Sequence, residues 1–501
     1  MSMGDLVPVL CQEVVPGDKF HISTSQMLRM MPMVAPVMHE VNVFTHFFYV
    51  PNRLLWKDWE RFITGGEDGL SAVLPPTCEL KSVGVPRNTD VDYRLADYLG
   101  LPHDPYSLGN IGKEQVSIMP FLAYQMIYNE YYRDQNLVPS LQDTLENVVA
   151  GINPPDEEWF RLRKRAWQHD YFTSALPWAQ KGAPVRLPLG TSADVKWVPN
   201  GIGTYGSDLY YSDGSPVTGG QKGLNNNFSG DLTDDAGNQV ALDNSANLEV
   251  DLTDATSATI NDLRRAFKLQ EWLEKNARAG SRYIESILAH FGVRSSDARL
   301  QRPEYIGGSM SPVMISEVLQ TSETLDSPQG NMAGHGLNLG NSGHMSKYCE
   351  EHGYIIGICS VMPKTAYQQG IPKMWSKNDK FDYFWPEFEH IGEQAILNQE
   401  LIVTDSERDQ EVFGYIPRYA EYKYIPSTVH GYFKTNLDFW HMGRIFDPAN
   451  PPELNQDFIN ANPTRRIFAV EDEEEDVLLV HMFHNIKANR KMSYYSDPSF
   501  R

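Results

Sequence analysis

The strand-forming segments of this chain stand in two groups, one at each end, and any fold must bring the two together. VLCQEVV (9–15), FHISTSQM (20–27) and VNVFTHFFYV (41–50) are short, β-branched or aromatic, and separated by PGD and proline-bearing turns. YIIGICSVM (354–362), ELIVT (400–404), TVHGYFKT (428–435), RIFAV (466–470) and VLLVHMFH (477–484) repeat the pattern in the last third. The total is about eight strands. Between the groups runs a long excursion with helical periodicity. NRLLWKDWERFI places Asn52 at a cap, Leu55, Trp59 and Phe62 on one face, and Gly65 as a stop. Pro120 suits the first turn of PFLAYQMIYNEYYRD. DLRRAFKLQEWLEKNARAG (262–280) carries Leu263, Phe267 and Leu273 at near-helical spacing, a stripe expected to pack as core.

Composition narrows the classes. At 501 residues with 41% hydrophobic and 22% charged positions, the chain exceeds one typical domain and is neither low-complexity nor collagen-like. With 43 Lys and Arg against 65 Asp and Glu, its net charge of −22 repels nucleic acid and anionic membranes over most of the surface, so DNA contact must be local. Residues 1–18 hold no Lys or Arg, which argues against a signal peptide, and the longest apolar run, YIIGICSVMP, is about half of what a membrane span needs. No membrane insertion is expected. Cys11, Cys78, Cys349 and Cys359 are too scattered for a disulfide framework.

The sharpest compositional break runs from 191 to 258, where Gly, Asn, Asp and Ser supply nearly half the residues and ten acids face only Lys196 and Lys222. Such a stretch cannot build a large core of its own and reads as a surface insertion. The organisation expected is therefore a discontinuous β domain over 1–190 and 259–501, interrupted by a polar insertion over 191–258.

Catalytic chemistry finds no anchor. GIGTYG (201–206) lacks the preceding strand and following helix of a dinucleotide site. His335, His344 and His352 have intervening glycines instead of helical ligand spacing, and His481 and His484 fall on opposite faces of a strand. No enzyme activity, cofactor or metal is expected. One charge feature stands out: in WFRLRKRAW, Arg161, Arg163, Lys164 and Arg165 are flanked by Trp159 and Trp167, a mix of cations and rings able to grip single-stranded nucleic acid. A solvated helix face pairing with Glu157 and Glu158 explains the same residues. The acids of EDEEED (471–476) read as a solvated turn.

The longer patterns carry a resemblance. VPGDKF, MPMVAPVMHEVNVFTHFFYVPNRLLWKDWERFI, ARAGSRYIESILAHFGVRSSDARLQRPEYIGGS, TAYQQGIPKMWSKNDKFDYFWPEFEHIGEQAILNQE and FGYIPRYAEYKYIPSTVHGYF, in this order, resemble the major capsid protein of the gokushovirus branch of the Microviridae, small single-stranded DNA phages. The resemblance implies a mainly β fold, an eight-stranded antiparallel viral jelly roll with long helix- and loop-containing insertions. It implies copies assembling through threefold and fivefold contacts into a T=1 icosahedral shell around circular single-stranded DNA. The partners it implies are a small basic DNA-binding protein, a pilot protein, a scaffolding protein and a host surface receptor. It places the chain in the virion, with assembly in the host bacterial cytoplasm. It also makes 191–258 a threefold protrusion facing the host, with Thr218, Gly220, Asn225, Asn226, Asn227 and Asp231 as candidate receptor-facing residues. The alternative is a β-rich carbohydrate-binding or glycan-cleaving protein, since aromatic and carboxylate residues are abundant enough to line a sugar groove.

Overall fold

The computed structural model describes residues 1–67, 70–79, 94–102, 115–153, 157–183, 185, 260–280, 282–321, 330–470 and 475–492, together with short strands between 195 and 250. Two compact units result, one of Met1–Lys181 with Glu274–Arg501 and one of Gly182–Leu273.

The first unit is built on two antiparallel sheets. Its strands are β1 (Val7–Val14), β2 (Lys19–Met30), β3 (Val41–Pro51), β4 (Glu304–Pro312), β5 (Met314–Leu319), β6 (Met332–Asn341), β7 (Met345–Tyr348), β8 (Gly353–Pro363) and β9 (Leu478–Asn489). The first sheet has the order β1-β8-β3-β4. In the second, β2 is central: β9 pairs along one edge, β6 and β7 share the other, and β5 lies outside β6. Only Val313 separates β4 from β5, so one continuous stretch crosses from sheet to sheet, as strands do at the corners of a sandwich. The mainly β jelly-roll architecture expected from the sequence is the one observed.

Strand β2 alternates strictly. Phe20, Ile22, Thr24, Gln26, Leu28 and Met30 are buried, and the residues between them face outward, the signature of a sheet with one solvated face. Strand β3 has no such alternation, because both of its faces are covered. Val43, Phe47 and Tyr49 enter the sandwich with Phe20, Ile22, Val361 and Ile355, while Phe48 and Val50 face a layer of helices. That layer centres on the helix Met119–Ile127, whose first turn holds Pro120 as expected, and whose Phe121, Leu122, Tyr124 and Ile127 pack with Leu55, Trp56 and Phe160 over the first sheet.

A polar seam threads the apolar sandwich. The Thr45 hydroxyl donates to Gln26 Oε1 at 2.8 Å, and Gln26 Nε2 donates to Ser311 Oγ at 3.0 Å and Asn338 Oδ1 at 3.1 Å. Asn338 Nδ2 donates in turn to the Pro312 carbonyl at 2.7 Å. Four strands from both sheets are thereby joined through satisfied buried groups, which penalises any slip of register.

Several expected strands are corrected. Residues 400–404 include the end of the helical turn Asn398–Leu401, because the Glu400 carboxylate accepts from the Leu397 backbone N–H. Residues 428–435 keep only the strand end at Thr428 before the turn Gly431–Lys434, and 466–470 contribute a bridge at Phe468 without a strand. Conversely, β4 and β6 escape a reading by composition because glycine marks loops. Here the glycines make room: a Cβ on Gly334 would lie 2.3 Å from the Ala35 carbonyl oxygen, and one on Gly336 would lie 2.6 Å from the Met30 sulfur. Asn52 is not a cap but the first residue of a short helix, Asn52–Leu55, and a second helix, Trp59–Thr64, ends at Gly65 in the left-handed conformation as expected. The acidic run is not wholly solvated either, since Asp476 is held by the Met1 ammonium at 3.1 Å and by Arg94 at 3.3 Å.

The second unit contains nested antiparallel pairs: Val195–Trp197 with Leu248–Val250, Leu209–Tyr211 with Val240–Leu242, and Asn225–Asn226 with Leu232–Thr233. The helix Ile260–Ala279 follows, and its expected core stripe is not core: Leu263 and Phe267 are exposed.

Two outcomes follow for the first unit. Asn338→Ala strands the polar groups of Gln26 and Ser311 inside the sandwich and is expected to cost about 1–3 kcal/mol, read as a lowered denaturation midpoint. His46, on the helix-facing side of β3, lies 2.7 Å from the Tyr132 hydroxyl, and burial, aided by the nearby Arg165 charge, lowers its pKa to about 4 from 6.5. The unfolded chain therefore takes up this proton at higher pH than the folded one, so the stability His46 contributes is present above pH 6.5 and lost as pH falls toward 4. Denaturation midpoints from pH 7 to 4 should decline, less steeply in His46→Gln. Identical profiles would refute this.

Candidate functional site

Beside the sandwich, the first unit carries an apolar lobe whose roof is open. Tyr171, Phe172, Tyr367, Ile396, Leu401, Phe413, Ile416 and Phe458 form its buried floor. The antiparallel pair Glu393–Leu397 and Val412–Pro417 supports it. Above the floor, chain rich in proline and short turns, Lys373–Trp375, Lys380–Asp382, Pro386–Phe388 and Ala420–Tyr422, has too few backbone pairings to form strands and instead turns its rings outward.

Polar contacts hold this scaffold. The Glu400 side chain is buried and receives the Tyr171 hydroxyl at 2.8 Å and Lys373 Nζ at 3.1 Å. Burial, reinforced by the Glu400 charge, pushes the Tyr171 hydroxyl far above its ordinary range, so it remains a donor. Asp170 receives the hydroxyls of Tyr367 at 2.7 Å and Thr365 at 2.6 Å, as well as the backbone N–H of Thr173 at 2.8 Å. Lys377 pairs with Glu421 at 3.0 Å and lies 4.1 Å above the Tyr422 ring. Burial alone would lower the Lys377 pKa, but its hydrogen bonds to Tyr422 and Glu421 prevail and raise it.

What this framework presents is apolar. Ile425 is 93% exposed and Trp375 73%, with Met374 and Tyr383 beside them, around a cavity of about 620 Å³. Single exposed apolar residues are ordinary, but a contiguous aromatic rim around an apolar hollow marks a surface that meets another molecule. Its buried acids are each paired with a lysine or tyrosine, so the arrangement can bind but has no free nucleophile or base positioned by these contacts. Among the described residues no group of three His, Cys, Asp or Glu converges as a metal site. His484 turns inward to Thr24 and the Val9 carbonyl while His481 faces out, on opposite faces as the strand period requires.

The basic stretch is placed differently from a nucleic-acid grip. Trp159 and Trp167 are buried, and so is Arg163, which donates to Gln125 Oε1 at 2.7 Å and pairs with Glu158 at 2.8 Å. Arg165 lies 4.1 Å over the Phe44 ring and donates to Ser360 Oγ, with its pKa lowered by burial. Lys164 reaches Asn462, and Arg161 is exposed beside Glu158 at 3.2 Å. Backbone bonds from Leu6 N–H to the Arg163 carbonyl and from Ala461 N–H to the Arg165 carbonyl make the stretch a seam between the N-terminal segment and residues 459–461. The six residues thus share a segment but not a surface. Of the insertion residues, Asn225 and Asn226 form one strand of a short pair, and Thr218, Gly220, Asn227 and Asp231 lie outside the described residues.

The aromatic rim was missed by motif reasoning because no motif describes it. The available signal was the density of Trp, Phe and Tyr among turn formers in 371–391 and 415–440.

Tyr171→Phe removes a hydrogen bond to a buried carboxylate and is expected to destabilise the lobe by about 1.5–3 kcal/mol. Denaturant unfolding followed by Trp fluorescence would check it, and an unchanged midpoint would contradict the bond's role.

Comparison with known proteins returns a consistent picture. A family described as phage capsid protein (F protein) matches residues 1–500. The chain is 38% identical to capsid protein VP1 of Bdellovibrio phage phiMH2K over 518 residues, covering 99% of this chain and 92% of that protein. It is 36% identical to capsid protein VP1 of Chlamydia phage 1 over 568 residues, covering 100% and 93%. It is 32% identical to capsid protein VP1 of Spiroplasma virus 4 over 532 residues, covering 100% and 93%.

Proposed function

Because this chain belongs to the phage capsid protein (F protein) family, and is therefore a self-assembling structural component of a virion and not an enzyme, we propose that its copies close into a T=1 icosahedral shell around a circular single-stranded DNA genome. The observation that carries this reading is the family match over residues 1–500. The aromatic rim supports it. A face with Ile425, Trp375 and Met374 uncovered suits contact with a second copy, and closed symmetry repeats each such contact around the shell.

The insertion 191–258 is read as the protrusion that meets the host surface. Its nested strand pairs and excess of acids and loop formers suit an outward crown better than a wall. A net charge of −22 cannot neutralise packaged DNA over the whole inner surface, so the reading includes a small basic DNA-binding partner as well as pilot and scaffolding proteins. Assembly would take place in the host bacterial cytoplasm.

Electron microscopy of the expressed full chain, with scaffolding protein supplied, should show uniform hollow particles, whereas a persistent monomer would count against the reading. Ile425→Asp with Trp375→Ala should abolish particles while leaving the far-UV circular dichroism unchanged. Deleting 201–250 should leave particles but lower adsorption to host cells at least tenfold.

A further inference from the structure

The outer face of the second sheet stands apart from the rest of this acidic molecule. The first sheet's outer face is covered by helices; that of the second is open. Reading the register across β6, β2 and β9, its outward rows are Leu337, Arg29 and Leu479; then Leu339, Met27 and His481; then Asn341, Ser25 and Phe483. Farther along, Ser346, His21 and Lys487 form one row, and Tyr348, Lys19 and Asn489 another. No outward strand position in these rows carries a carboxylate, although the chain has 65 acids against 43 Lys and Arg. Lys19, Arg29 and Lys487 supply fixed positive charge. On the same face His344 is stacked on His21 at 5.3 Å between ring centroids. Among these charges, Phe483 is 62% exposed, Leu339 71% and Tyr348 52%.

We infer that this open face of β6, β2, β7 and β9 is where the chain meets single-stranded nucleic acid. The inference rests on the genome-enclosing reading above and names the surface. Three features suit this occupant. The fixed charge on the face is of one sign and opposite to the molecule's net charge, which complements phosphate. Exposed rings, Phe483 and Tyr348, stand on the same face as the cations, so bases can stack while phosphates are neutralised. The sheet is also a broad platform of paired strands, which suits sequence-tolerant binding.

The test uses the unassembled full chain and a fluorescein-labelled 30-nucleotide oligothymidylate, with binding followed by anisotropy across salt concentrations. Lys19→Glu, Arg29→Glu and Lys487→Glu together should weaken binding at least tenfold near 0.1 M salt and flatten the slope of log K against log salt by about two, since each single-strand phosphate contact contributes about 0.7. Phe483→Ser should weaken binding severalfold with the slope unchanged, and Arg161→Glu should leave it intact. Should the triple variant lose its circular dichroism signature, Lys487→Glu with Phe483→Ser carries the measurement. Wild-type binding with no loss in these variants overturns the assignment of the face alone, as does a loss concentrated in Arg161→Glu. Variants that bind DNA normally but no longer form particles would make the face a protein contact and also overturn it. Particle formation by a wild-type chain that binds no oligonucleotide would instead refute the genome-enclosing reading itself.

Discussion

Burial of strands β3 and β8 on both faces is the constraint from which the rest of the first unit follows. A strand such as Val41–Pro51, with Phe47 and Tyr49 on one side and Phe48 and Val50 on the other, cannot exist in water with either face open. One side therefore requires the second sheet, and the other requires the helices around Met119–Ile127. The excursion between the two strand groups is thus the second wall that the first sheet needs, not decoration. The Gln26, Thr45, Ser311 and Asn338 seam then selects one register from those that hydrophobic matching alone would tolerate.

The same economy explains the two surfaces left open. With the first sheet covered, exposed apolar side chains stand on the aromatic lobe and on the outer face of the second sheet. The lobe is organised by ion pairs that are already satisfied, so what it offers is shape and apolar contact, appropriate to neighbouring copies. The second sheet offers like-signed charge with rings between. Two faces of opposite chemical character on one subunit are what a container requires if one side meets its own copies and another its contents.

Function here depends on surfaces assembled from distant segments. The stretch from Trp159 to Trp167 shows how far local chemistry misleads: its composition suits nucleic acid, but Arg163 is consumed by Gln125 and Glu158 and Arg165 by Phe44 and Ser360. The cations of β2 and β9, by contrast, form no sequence cluster. Lys19 and Lys487 come within one row of each other, and share a face with Arg29 at the far end of β2, only because antiparallel pairing lays one end of the chain along the other.

The sequence by itself determined the mainly β class, the strands β1, β2, β3, β8 and β9, the helical turn at Pro120, the stop at Gly65 and the family resemblance, because alternation, β-branching, capping and turn chemistry are local and leave periodic traces. It did not reveal β4 and β6, whose glycines read as loop until close neighbours supply the reason for them, Ala35 and Met30 at β6 and Met345 and Thr45 at β4. Nor did it separate ELIVT from a strand, since the Glu400 carboxylate that caps the turn at Leu397 is held in place by Tyr171 and Lys373. The aromatic rim and the carboxylate-free sheet face were likewise decided by tertiary structure alone, since whether a side chain is exposed depends on what packs beside it, and those neighbours lie up to several hundred residues away along the chain.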